Sequence, residues 1–125
     1  MFQGASTLLT KLSVAKLILS QKLELKAETI TATAATAISV STPLTIIDST
    51  LGAIAGLVLA DGHQGQVKFI VMMTANGAAT ITPAHMGEYA GTKTTITLDA
   101  AGESWMGIFY ASKWYTVGTP TATIG

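Results

Sequence analysis

The sequence contains no cysteine and few charged side chains. Without cysteine, neither a disulfide framework nor a thiolate metal site can form. Charged residues make up 11% of the 125 residues, against about a quarter in an ordinary soluble domain. Isolated soluble domains depend on surface charge to stay dispersed. A surface this poor in charge therefore indicates that neighbouring molecules or a membrane cover much of it.

Basic charge is as scarce as acidic charge. Seven lysines balance seven acidic residues, arginine is absent, and the formal net charge is zero. Phosphate recognition depends on clustered lysine and arginine side chains. The composition therefore argues against a nucleic-acid partner.

Long apolar runs are also missing. The longest one, Leu51–Ala60, is far shorter than the roughly 20 residues that a spanning helix needs. The first residues, MFQGASTLLTKLSV, lack the basic region and continuous apolar core of a secretory signal, so we expect none. Burial in an oligomer therefore explains the missing charge better than a membrane does.

Valine, isoleucine and threonine dominate the chain from Thr29 onward. These β-branched side chains are stiff at χ1 and fit a pleated surface, so the sequence predicts an all-β protein. Short strands with turn signals about every 8–12 residues indicate a small β-sandwich or jelly-roll-like domain. The predicted strands are Ile54–Leu59, Gln66–Thr74, Ala79–Thr82, Thr94–Leu98, Glu103–Tyr110 and Lys113–Val117.

The strand Gln66–Thr74 is the clearest, and it is apolar on both sides. Since alternate residues of a strand point to opposite faces, both of its faces are expected to be covered. One face carries Val67, Phe69, Val71 and Met73, and the other carries Lys68, Ile70 and Met72. Asn76-Gly77 then supplies a turn, because both residues tolerate positive φ.

Three zones follow from these patterns. Residues 1–28 are predicted to form an N-terminal arm or stalk, residues 29–118 the β domain, and residues 119–125 an extended tail. The arm is interpreted as short strands, with a helix over Leu8–Leu19 as the alternative. Apolar-x-apolar units recur between residues 17 and 47. They predict either interwound β-structure, stacked on neighbouring units or other copies, or an ordinary β-meander.

No set of residues has the spacing that catalysis or metal binding requires. The two histidines, His63 and His85, are not part of a ligand motif, and a usable metal site needs three or four converging groups. The carboxylates of Glu88, Asp99 and Glu103 are interpreted as solvated groups at turns and strand ends. We therefore predict a non-catalytic protein with no cofactor and no metal.

Five aromatic residues lie close together near the C-terminus: Trp105, Phe109, Tyr110, Trp114 and Tyr115. They allow two interpretations. Trp105, Trp114 and Tyr115 could stack against sugars as a glycan platform. We favour the alternative, in which aromatic cross-strand pairs close a β core.

Two segments, Ala60–Pro83 and Gly91–Gly118, carry a family resemblance. Their marks are the D-G-x-x-G-Q turn before an apolar strand, the T-T-I-T-L-D-A-x-G-E-S-W hairpin and the closing K-W-Y-x-V-G. With Ile38–Asp48 upstream, the pattern resembles a β module recurrent in virion proteins of tailed phages that infect marine bacteria and cyanobacteria. The resemblance covers Thr29–Gly118.

In phages, such modules occur in capsid decoration (cement) proteins and in tail-fibre or spike segments, commonly as trimers. The resemblance thus implies a homotrimer, made in the host cytoplasm, that sits on the capsid surface and binds the major capsid protein, with no nucleic-acid or membrane partner. A tail-fibre or spike module that binds host glycans is the alternative. The residues predicted to contact other copies or the capsid are Leu8, Leu9, Leu12, Leu17, Leu19, Leu23 and Leu25.

Overall fold

The computed structural model describes residues 23–31 and 33–125. That part of the chain forms ten strands and one short 3-10 helix, Glu88–Gly91. The strands are β1 (Ala27–Ile30), β2 (Ala37–Ile38), β3 (Leu44–Asp48), β4 (Ile54–Leu59), β5 (Val67–Thr74), β6 (Ala79–Pro83), β7 (Ile96–Leu98), β8 (Ser104–Tyr110), β9 (Lys113–Thr116) and β10 (Thr123–Ile124).

The strands form two five-stranded sheets that share one apolar core. Sheet I has the order β1-β3-β5-β8-β9, and sheet II has the order β10-β7-β6-β4-β2. The prediction of an all-β sandwich is confirmed. Among the described residues, no helix is long and apolar enough to cross a membrane.

The chain passes from one sheet to the other at every step from β1 to β6. Neighbours within each sheet are therefore parallel there: β1 with β3 and β3 with β5 in sheet I, β2 with β4 and β4 with β6 in sheet II. The apolar units around Ile38 and Leu44 stack on neighbouring turns of the same chain and do not form a meander. These parallel pairs also distinguish the fold from a jelly roll, which is antiparallel.

Antiparallel pairing begins after β6 and closes the far side of both sheets. β7 pairs with β6, β8 with β5, and β9 with β8. The predicted turn at Asn76-Gly77 exists, but β6 then enters sheet II and does not return alongside β5. The predicted extended tail supplies β10, the edge strand of sheet II beside β7.

The inner faces of both sheets are apolar, because alternate residues of each strand point into the sandwich. Burying one leucine or isoleucine side chain is worth about 1.5–3 kcal/mol, so these residues dominate the stability of the domain. The members exposed by less than 2% include Ile47, Ile54, Leu57, Leu59, Ile70, Met72, Ile81, Ile96, Leu98, Trp105 and Trp114.

Among the described residues, one charged side chain, Lys68, is fully buried in this core at 0% exposure. Its Nζ donates to the carbonyl oxygens of Ser39 at 2.7 Å and Thr42 at 2.6 Å. It also lies 3.8 Å from Oε1 of Glu28. The same carboxylate oxygen accepts the Ser39 N–H at 2.9 Å and the Thr45 hydroxyl at 2.6 Å. The cluster thus ties β1, the β2–β3 loop, β3 and β5 together.

Burial lowers the pKa of Lys68 from its ordinary value, because desolvation penalises the ammonium. The nearby Glu28 carboxylate acts in the opposite direction. A buried charge of this kind persists only where it is paired and hydrogen-bonded. Lys68 therefore depends on the acceptors that β1 and the β2–β3 loop supply.

Replacing this ammonium tests the cluster directly. Lys68→Met keeps the length of the side chain but leaves Glu28 without its partner, so we expect the free energy of unfolding to fall by about 3 kcal/mol. Urea unfolding followed by tryptophan fluorescence measures it. Adding Glu28→Gln should recover part of the loss, and Lys26→Met on the exposed surface should change stability by about 0.5 kcal/mol at most. Equal effects of Lys68→Met and Lys26→Met would contradict this role.

The turn between β8 and β9 is strained. Tyr110 pairs with Lys113, so the loop has two residues, Ala111 and Ser112. Their φ angles are +48° and +62°, the backbone of a type I′ turn, which favours Asn-Gly. The predicted strands Glu103–Tyr110 and Lys113–Val117 leave these two residues between them, although alanine and serine are poorly suited to left-handed backbone.

Correcting this turn should stabilise the domain. The double change Ala111→Asn and Ser112→Gly should raise the free energy of unfolding by about 1 kcal/mol, because the left-handed conformation is unfavourable for alanine and serine. The matched control is Ala100→Asn with Ala101→Gly, in a turn where neither residue has positive φ. Thermal unfolding of both variants measures the change in stability. A gain in stability in the control alone would refute the strain assigned to the Ala111-Ser112 turn.

Candidate interaction surface

The outer face of sheet II is polar and composed of small side chains. The register aligns Thr80, Thr97 and Thr123 in one row across three strands. Thr82, also on β6, lies beside the exposed Val58 of β4. A sheet that packs one face on the core and exposes the other face to water typically carries polar side chains on the exposed face.

The outer face of sheet I is different, because an apolar row crosses it. The register places Ala27, Leu44, Phe69 and Met106 side by side on four neighbouring strands. Val117 adds a fifth member, since its N–H donates to the Met106 carbonyl at 2.8 Å. We call these five residues the central row.

Apolar residues also flank the central row on both sides. Ile46 lies next to Val71 on one side. On the other side, Val67 lies next to Ile108, which lies next to Tyr115. All five of these side chains are half-buried. Together with the central row they form what we call the outer apolar face.

The outer apolar face ends at two exposed side chains, Met73 at 54% exposure and Tyr110 at 57%. With strands about 4.8 Å apart and a rise of about 3.4 Å per residue, the face covers on the order of 450 Å². The largest contiguous apolar patch on a typical monomer is of this size and is often a functional surface. This face is therefore the candidate functional site.

Two opposite charges lie at the two ends of the outer apolar face. Asp48 ends β3, level with Thr74 at one end, and Lys113 begins β9, beside Tyr110 at the other. The hydroxyl and the N–H of Thr50 donate to the Asp48 carboxylate and hold its pKa below the usual value. Asp48 therefore remains ionised well into the acidic range.

The two tryptophans of the predicted glycan platform lie inside the core. Trp105 is 1% exposed and Trp114 is 0% exposed, with their rings edge-to-face at 6.2 Å. Each Nε1 donates at 2.9 Å, Trp105 to the Thr116 hydroxyl and Trp114 to the Ala60 carbonyl. Neither indole face is available to stack on a sugar, so these two residues correspond to the favoured interpretation as core aromatics.

The third platform residue, Tyr115, lies on the outer apolar face. It packs against Gly87, where an added Cβ would come within 2.2 Å of the Tyr115 ring. Of the seven leucines predicted as contacts, Leu23 and Leu25 are exposed just before β1. The other five fall outside the described residues: Leu8, Leu9, Leu12, Leu17 and Leu19.

The remaining polar candidates serve local structure. Oε2 of Glu103 accepts the N–H groups of Asp99 at 2.6 Å and Ala100 at 3.2 Å, which closes the turn before β8. Asp61 contacts His85, with Oδ2 2.8 Å from Nδ1, and this pair is exposed. Across residues 23–31 and 33–125, no three potential metal ligands come together.

An open cleft of about 410 Å³ lies between Glu88, Lys93 and Pro120. The Glu88 carboxylate in this cleft accepts the N–H of Thr116 and thereby links the 3-10 helix to β9. The cleft thus combines one carboxylate with one amine, and the carboxylate already has a backbone partner.

Comparison with known proteins adds little to this picture. No protein-family model matches the chain, and no curated protein matches it. A solved structure described as "Structure of a chaperone-substrate complex" is similar over 78% of this chain and 19% of that chain, with 16% identity and a TM-score of 0.48. The chain therefore spans about a fifth of that structure's length, and we base no argument on the likeness.

The sequence predicted only part of the outer apolar face. The apolar residues on both sides of Gln66–Thr74 correctly predicted that β5 is apolar on both faces. The alignment of Leu44 and Met106 with Phe69 was not predictable, because pairing between strands remote in sequence leaves no local pattern.

Gly107 offers a test of how the core supports this face. A Cβ there would lie 2.0 Å from the Trp105 ring, so Gly107→Ala forces the indole out of place. We expect the free energy of unfolding to fall by about 3 kcal/mol, with a red shift of tryptophan emission. Gly102→Ala is the control, since it meets no atom within 4 Å but holds φ at +89°. Gly102→Ala should lower the free energy of unfolding by about 1 kcal/mol and leave the emission unchanged. A larger loss in Gly102→Ala than in Gly107→Ala would refute the packing of Trp105 over Gly107.

Proposed function

We propose that this chain is a capsid decoration protein of a tailed phage. It assembles as a homotrimer on the outside of the head and bridges neighbouring major capsid subunits. The observation that carries the proposal is the outer apolar face, with Phe69 and Met106 at its centre, on a domain poor in charge. A structural protein that is covered by neighbours needs such a surface, and the resemblance of Ala60–Pro83 and Gly91–Gly118 to virion modules supports the same conclusion.

Such a protein stabilises a capsid by binding the assembled form. Any ligand that binds only the assembled state shifts the equilibrium toward that state in proportion to its affinity. Three linked subunits multiply a weak contact, because the second and third attachments become intramolecular. A sandwich with a packed core holds the contact surfaces in fixed positions. Little conformational freedom is therefore lost on binding.

Two kinds of contact are required, one between copies and one with the capsid. The outer apolar face provides one large surface. The leucine-rich segment, of which Leu23 and Leu25 are described and exposed, is proposed as a second surface that interlocks subunits or lies on the capsid.

The tail-fibre alternative needs indole faces open to solvent. Burial of Trp105 and Trp114 favours the decoration protein over a glycan-binding module. A glycan array would detect the alternative directly, and binding that Tyr115→Ala removes would support it.

The proposal is tested with phage capsids stripped of their minor proteins. The purified protein should co-sediment with these capsids to a saturating ratio and raise the temperature at which they release their DNA. Free major capsid subunits serve as the control and should bind weakly, since bridging needs neighbouring subunits. A folded protein that neither co-sediments nor changes capsid stability would overturn the proposal.

A further inference from the structure

We infer that the outer apolar face is the surface through which copies of this chain bind each other, with the faces of the copies packed together around the axis of the proposed trimer. The inference rests on the proposed function, because a decoration protein of this kind self-associates. It specifies the partner of the central row, which is the same row on another copy, and the charges that set the orientation.

The size of the face fits a contact between copies. Two such faces in contact would cover about 900 Å² in total, which is below the roughly 1,200 Å² of a standard interface and in the range of a weak contact. Phe69 and Met106, the middle of the central row, are of the types enriched in the core of interfaces. An apolar face of this kind complements itself, since contact between apolar groups has no sign.

The charges at the rim are also self-complementary. Asp48 and Lys113 lie at opposite ends of the same face and on opposite sides of β5. A facing copy can therefore place its Lys113 against Asp48, and in a pair or a closed ring each copy supplies one of each. A partner of another kind would need a matching pair of charges by coincidence, whereas a second copy carries it necessarily.

The edge of sheet I beside β9 is covered, so this edge is not available to a strand from another copy. The N–H of Trp114 donates to the His85 carbonyl at 3.0 Å, and the N–H of Gly87 donates to the Trp114 carbonyl at 2.9 Å. Met86 forms a bridge with Trp114 between these bonds. A strand from another copy therefore finds these β9 groups already paired.

The first experiment compares lysine at the centre of each outer face. Phe69→Lys, on the central strand of sheet I, should weaken self-association measured by sedimentation velocity by at least about tenfold. Thr80→Lys, on the central strand of sheet II, is the matched control and should leave it unchanged. Circular dichroism and tryptophan emission establish that both variants are folded. Equal weakening by both variants, or no weakening by Phe69→Lys, would overturn the inference.

The second experiment exchanges the rim charges. Asp48→Lys and Lys113→Glu should each weaken self-association several-fold, because each sets like charges against each other. The double variant restores opposite charges and should recover association. A double variant as weak as the sum of the single changes would overturn the pairing, and this comparison does not depend on whether Asp48→Lys alone disturbs the Thr50 turn.

These outcomes are separable from the test of the proposed function. A monomeric wild-type protein that still co-sediments with capsids would overturn the contact between copies and leave the decoration function standing. A protein that self-associates through this face but ignores capsids would do the opposite. Phe69→Lys should co-sediment with capsids less tightly than Thr80→Lys, because it loses multiple attachment.

Discussion

The buried ammonium of Lys68 is the constraint on which the parallel half of the sandwich depends. Its acceptors come from Glu28 on β1 and from the carbonyls of Ser39 and Thr42 before β3. An ammonium in an apolar interior is unfavourable without them. The first two strands are short and bury little apolar surface of their own, so this polar cluster attaches them to β5. The same strand carries Phe69 on its opposite side, so one strand connects the stability of the fold with the proposed contact surface.

The two sheets have the same number of strands but different outer chemistry. Sheet II is apolar inside and carries threonines such as Thr80 and Thr97 outside, as expected of a sheet that faces water. Sheet I is apolar on both sides, and the central row extends across all its strands. The core inside needs only one of these faces. The second apolar face of sheet I is therefore the feature on which the proposed contact between copies rests.

Three of the five aromatic residues near the C-terminus, Trp105, Phe109 and Trp114, belong to the core. Trp105 lies over Gly107, and Trp114 contacts both Trp105 and Phe109 edge-to-face. Each indole N–H is hydrogen-bonded within the domain, so the rings have one arrangement. A β8–β9 hairpin fixed in this way presents Met106 on its outer side in a constant position. This rigidity suits a protein whose proposed role is to hold other subunits in place.

The sequence by itself determined six of the ten described strands, β4 to β9, and their two faces. Period-two alternation located Gln66–Thr74, Glu103–Tyr110 and Lys113–Val117, because alternation is a local property. The low charge predicts a surface covered by neighbours, and this stays a prediction. Only the tertiary structure decided which sheet each strand joins, where Lys68 finds its acceptors, and that Phe69 lies in a row of apolar residues. Those outcomes depend on hydrogen-bond pairing between segments remote in sequence, and one strand's pattern of side chains is compatible with many partners and registers.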